Sequence, residues 1–266
     1  MKSVDLTPVG GGVLLFMHIP KTGGTSMRKA VGDAYESSER AFIYEEGGVR
    51  GSLKRRAFAK LPSEERARVR LAFGHYPYGL HSSVPGDSAY VAVVRDPVDR
   101  VISVYDHYRH HKGVRYALMS STARSRDRAA MERAEIEQSG LDLESWIFER
   151  MPTEVDNQMV RQIAGAPTIP FGECGDDLLA TALEHIEQRF EMLMLQDELP
   201  AGLTRLSSRI GRPLTSGHRL KVNRRRQPID AVEKRVRDRI ADLNRLDTQL
   251  YAFARARQTE MMSGRD

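Results

Sequence analysis

With 266 residues, 40% hydrophobic and 29% charged, the chain can fill a packed core, and its composition excludes a collagen-like, disulfide-stapled or mostly disordered polymer. Forty-one Lys and Arg against 36 Asp and Glu leave a net charge of +5, a mild excess that favours anionic ligands only weakly. The lone Cys174 excludes an internal disulfide, no run of about 18 apolar residues can span a membrane, and the opening MKSVDLTPVGGG is a poor secretory signal, so a reducing, cytoplasmic location is expected.

Val13–His18 (VLLFMH), a continuous apolar run after three glycines, reads as a buried parallel strand, and a helix follows from Thr25 to about Asp33. Val69–Phe73 and Tyr90–Val94 are further strands, the second rich in β-branched residues. Pro97 opens a helix running to about His110, at a position where its missing N–H costs nothing. Arg115–Gln138 is polar with little apolar periodicity, either an excursion or an exposed helix. Leu141–Glu149 and Asp156–Ala164 read as short helices, the second capped by Asp156 or Asn157 and stopped by Gly165.

Asp176–Phe190 has a helical pattern, Met192–Leu195 is another buried strand, and a helix follows to about Ile210. Between Thr204 and Arg226 lie eight Lys or Arg residues and no acid, more than the whole-chain excess. This segment can be a solvated basic face, a nucleic-acid patch or a clamp on a small polyanion. Nucleic acid is not expected, because only Trp146 and scattered Tyr and Phe offer stacking surfaces and no recognition motif is present. Ile229 to about Arg257 reads as one long amphipathic helix docked on the core. Strands alternating with helices predict an α/β fold with a central parallel sheet flanked by helices. No linker divides it, so residues 1–266 are expected to form a single domain.

His18–Ala30 (HIPKTGGTSMRKA) places a Lys, two glycines and hydroxyl residues between a buried strand and a helix. Gly23 and Gly24 let backbone N–H groups approach an anion at the helix start, where the dipole adds partial positive charge. Lys21 supplies a full charge, and Thr22, Thr25 and Ser26 supply hydroxyl donors. A nucleotide-triphosphate loop would carry its Lys after the last Gly, followed by Ser or Thr. Here Lys21 precedes the glycines, which suits one compact tetrahedral anion. In YVAVVRDPVDRVISVY (Tyr90–Tyr105), Arg95 at a strand end and Ser103 on the following helix can face one point and hold a second anion; alternatively Arg95 pairs with Asp99 at the surface.

Together, IPKTGGTS and, about seventy residues later, RDPVDRVISVY resemble the paired cofactor motifs of the PAPS-dependent sulfotransferases, in the branch of heparan sulfate 2-O-sulfotransferase and its bacterial relatives. The resemblance extends through GHYPYGLH (Gly74–His81), DNQMVRQIAG (Asp156–Gly165), KVNRRRQP (Lys221–Pro228) and LNRLDTQLY (Leu243–Tyr251). It implies a P-loop NTPase-like fold binding 3′-phosphoadenosine 5′-phosphosulfate (PAPS). By the family pattern Lys21, Thr22, Gly23, Gly24, Thr25 and Ser26 hold the 5′-phosphosulfate, Arg95 and Ser103 hold the 3′-phosphate, and Lys221, Asn223 and Arg224 close over the nucleotide.

Sulfuryl transfer needs a base for the acceptor hydroxyl. His75 is the candidate, at a strand's carboxyl end with a side-chain type that titrates near neutrality. His81 is a weaker rival, His18 is expected to fix the strand-to-loop junction, and His107, His110 and His111 line the acceptor side or face solvent. No ligand spacing suggests a metal. Two other readings are a magnesium-dependent kinase or nucleotide hydrolase, with Asp197 after MLMLQ as its metal-binding acid, and a non-catalytic polyanion-binding module. Acceptor specificity is expected in Tyr76–Asp87, His107–Gln138 and Asp156–Arg161; the acceptor is a saccharide, lipid-linked or small-molecule hydroxyl.

Overall fold

The apolar run before the glycine turn becomes the middle strand of one parallel sheet in the structure, a computed structural model that describes residues 4–44, 51–110, 140–151, 153–214 and 228–262. This strand, β1 (Val13–Met17), is buried along its whole length. Val13, Leu15 and Met17 enter one core layer, and Leu14 and Phe16 the opposite one. A strand covered on both faces needs no polar alternation, which explains the continuous apolar run. α1 (Gly24–Gly32) follows, then β2 (Arg40–Tyr44), α2 (Arg55–Ala59), α3 (Ser63–Arg68), β3 (Leu71–His75), β4 (Ser88–Val94) and α4 (Pro97–His110). The second half contributes α5 (Leu143–Ser145, running into a π turn over Trp146–Arg150), α6 (Gln158–Ala164), α7 (Asp176–Arg189), β5 (Phe190–Leu195), α8 (Leu199–Ile210), α9 (Lys234–Leu243) and α10 (Arg245–Met262).

The strand order is β2-β3-β1-β4-β5, all parallel, so β1 lies between β3 and β4 and the connections pass to opposite sides of it. Ligands of open α/β sheets bind outside the carboxyl ends of the strands at such a switch point. α1 and α8 pack on one face; α6, α7 and α10 pack on the other. α4 and α9 enclose a third apolar cluster around Trp146.

Three sequence expectations are corrected. β2 was not anticipated, because its mixed pattern (RAFIY) lacks a long apolar run; it sits at the sheet edge, where such a pattern suffices. The strand expected over Val69–Phe73 starts at Leu71 and carries on to His75. The single helix expected from Ile229 to Arg257 is broken at Asn244, which leaves helical geometry at φ −115° and ψ 32°.

The break has a tertiary cause. Asn244 Nδ2 donates to the carbonyls of Ile240 and Val155, and its Oδ1 accepts from the Asn157 N–H. Asn157 Oδ1 in turn accepts the first-turn amides of α10, from Leu246 (2.9 Å) and Asp247 (3.1 Å). The Asp247 carboxylate accepts the first-turn amides of α6, from Met159 (3.1 Å) and Val160 (2.8 Å). Each helix is therefore capped by a side chain of the other, a non-local version of the usual N-cap. Asn157 occupies the N-cap position of α6 as expected, in left-handed geometry, but Asp247 accepts the amides there. Gly165 ends α6 as expected, also in left-handed geometry. Asp156 instead pairs with buried Arg161 and accepts from the Gly172 N–H.

Candidate active site

The turn between β1 and α1 is built from its own side chains. The His18 N–H donates to the Gly74 carbonyl, extending the β1–β3 ladder by one rung. The Thr22 hydroxyl, fully buried, donates to the Ile19 carbonyl at 2.9 Å, so this expected anion donor is committed to shaping the turn. Lys21 and Gly23 both take positive φ, 70° and 99°. Glycine does so without penalty, whereas Lys21 is strained by about 1–2 kcal/mol. Gly24 must lack a side chain, because a Cβ there would stand inside the His18 ring.

Gly24, Thr25 and Ser26 form the first turn of α1, which has no side-chain cap and no acid to oppose its dipole. A helix start of this kind, with Lys21 beside it, is chemically suited to an anion. Burial, then the charge of Arg95, pulls the Lys21 ammonium down to about 8, with Asp106 opposing.

Arg95 follows β4 directly and is buried. Its Nη1 donates to the Lys21 carbonyl at 2.7 Å and its Nε to the Asp99 carboxylate at 2.6 Å. Of the two sequence expectations for this residue, the Asp99 pair forms, though inside the protein rather than at the surface, and the guanidinium also bonds the glycine turn. Burial lowers Arg95 to about 10, with Asp96 and Tyr251 opposing. The Asp99 N–H donates to Asp96 Oδ1, which fixes the start of α4. Ser103 is half-buried one helical turn beyond Asp99, on the same side of α4.

His75 ends β3, and its Nε2 lies 2.9 Å from His18 Nδ1. The pairing was missed in the sequence. It depends on β3 lying next to β1, which chain order does not reveal; the only available signal was a histidine at the carboxyl end of each of the two strands. Burial first, then the charges of His75, Arg28 and Lys21, hold His18 well below the usual imidazole value. The Tyr44 ring stands 4.7 Å from that of His75. Gln162 on α6 donates both amide hydrogens across the strand ends, to the carbonyls of His18 and Tyr76, each at 3.1 Å.

The remaining candidates lie elsewhere or are engaged. Tyr90 Oη accepts the N–H groups of Gly79 and His81, which leaves its own proton for His81 Nδ1 at 3.0 Å. His81 is therefore tied to the opposite, amino-terminal half of β4. Asp197 accepts from Arg255 at 3.2 Å and from the Tyr251 hydroxyl at 3.5 Å, which engages the acid that the kinase reading requires. Lys221, Asn223 and Arg224 lie outside the described residues, as do His111 and the segment 112–138.

A family model described as "Sulfotransferase family" matches residues 10–254, nearly the whole chain. No curated protein matches. Among solved structures, the chain is similar to mouse sulfotransferase SULT7A1 complexed with PAP, at 12% identity and a TM-score of 0.32, covering 91% of this chain and 86% of that one. A likeness that slight carries no argument about the site.

Proposed function

Because the chain belongs to the sulfotransferase family, we propose that it transfers a sulfuryl group from PAPS to an acceptor hydroxyl of a saccharide, a lipid-linked molecule or a small molecule. The observation that carries the reading is the joining of two cationic sites: an uncapped, acid-free helix start beside Lys21, and an arginine from the adjacent strand bonded to the Lys21 carbonyl. PAPS supplies an activated sulfuryl group on a phosphate leaving group, with a further phosphate on the 3′ oxygen. Its three anionic centres fit this donor set. Lys21, Gly23, Gly24, Thr25 and Ser26 hold the 5′ end, with Thr22 supporting the turn from beneath. Arg95 and Ser103 hold the 3′-phosphate, and Lys221, Asn223 and Arg224 close over the nucleotide.

Displacement at sulfur is helped mainly by positioning and by charge at the leaving oxygen. Lys21 provides that charge. His75 takes the acceptor proton at Nδ1. For that nitrogen to keep its lone pair, His75 Nε2–H donates to His18 Nδ1, and His18 carries its own proton on Nε2. Once His75 is protonated, this hydrogen bond becomes charge-assisted and stronger. Burial keeps His18 neutral, so it remains an acceptor throughout.

The test is a transfer assay with sulfur-labelled PAPS against a broad acceptor panel read by mass spectrometry, beside calorimetric titration with adenosine 3′,5′-bisphosphate (PAP) and with ATP plus magnesium. Tight PAP binding without magnesium, and labelled product, are expected. Magnesium-dependent ATP binding with no response to PAP would replace this reading with a kinase.

A further inference from the structure

Arg95 belongs to both anion sites at once. Its guanidinium is a two-armed brace, with Nε on the Asp99 carboxylate and Nη1 on the main chain of Lys21, and the two arms are 2.6 and 2.7 Å long. The carbonyl it grips belongs to a lysine held at φ 70°, in a region that L side chains avoid. On the far side, the Thr22 hydroxyl pins the same turn to Ile19. Hydrogen bonds from a charged donor are roughly twice as strong as neutral ones, enough to hold a residue in such a conformation.

Resting on the donor assignment above, we propose that Arg95 is a positioning strut for the Lys21 turn as well as a ligand of the 3′-phosphate, so that the two ends of the nucleotide are bound as one unit. The two roles separate experimentally. If Arg95 only touches the 3′-phosphate, its replacement weakens adenosine 3′,5′-bisphosphate and leaves adenosine 5′-phosphate unaffected. If it also shapes the turn, both ligands weaken, although the second never meets the guanidinium. Lysine keeps the charge but lacks the fork, so Arg95→Lys cannot serve Asp99 and the Lys21 carbonyl together.

Calorimetric titration of the full chain with each nucleotide tests this directly. Arg95→Lys should weaken adenosine 5′-phosphate about five- to twentyfold, the loss of one charge-assisted hydrogen bond. Asp99→Asn keeps the Arg95 side chain and an acceptor for Nε but removes the charge that aims it, and should weaken adenosine 5′-phosphate about two- to fivefold. It also provides the measurement if Arg95→Lys does not fold. Wild-type affinity for adenosine 5′-phosphate, within about twofold, in whichever of these variants folds overturns the strut. Wild-type protein that binds neither nucleotide overturns the donor assignment instead, so the two failures are distinct.

Discussion

At the scale of single residues, the site rests on groups whose surroundings change their chemistry. His75→Ala removes the proposed base and should lower kcat by about 100- to 10,000-fold, with PAP affinity nearly unchanged. Turnover within about threefold of wild type would remove His75 from the mechanism. Lys21 is useful only as a cation, and its value of about 8, set by burial and then by Arg95, makes the alkaline side informative. An ordinary lysine keeps its proton to beyond pH 10; here the charged fraction falls through pH 8, so kcat/KM for PAPS should decline above it. A profile that stays flat between about pH 7 and 9.5 would show that Lys21 does not govern donor capture. The sign for stability is opposite. The unfolded chain holds this proton more tightly, so the contribution of Lys21 to stability grows as pH rises through the same range.

Among secondary-structure elements, the exchange of caps between α6 and α10 is the contact most exposed to substitution. Asn157→Ala deletes the acceptor for two amides of α10 and the donors to Asp156 and Leu243, and places a Cβ residue without a polar side chain in left-handed geometry. We expect a loss of about 2–4 kcal/mol and a melting temperature lower by about 5–10 °C, measured by thermal unfolding. The same contact marks the boundary of what could be read from the sequence. β1, β4, α1, α4, α7 and β5 were legible because each is a local pattern: an apolar run, a Pro at a helix start, a stripe at helical spacing. The break at Asn244 was not, since the amphipathic pattern continues through it and the partner that interrupts it is Asn157, 87 residues away. The site divides in the same way. The glycine turn and Arg95 announced themselves by residue type, whereas the His18–His75 pair, the Gln162 bridge and the grip of Arg95 on Lys21 all depend on which strands are neighbours.

For the molecule as a whole, ligand binding and folding are linked. PAP at about 100 times its Kd should stabilise the fold by about 2.7 kcal/mol, a rise of about 5–10 °C in Tm. The shift should need no magnesium and should largely vanish in Lys21→Ala; an equal shift in that variant would place the nucleotide elsewhere. Among the described residues no helix is long and apolar enough to cross a membrane. The crossed caps also tie remote parts of the chain to the chemistry. Gln162, whose amide spans the ends of β1 and β3, lies one turn along the helix whose opening amides rest on Asp247. A protease cut, an early stop codon or an ill-chosen fusion joint that detaches α10 would leave that helix without its anchor and let the imidazole couple drift out of register. Losing α10 should therefore impair transfer indirectly, through the helix that Asp247 anchors.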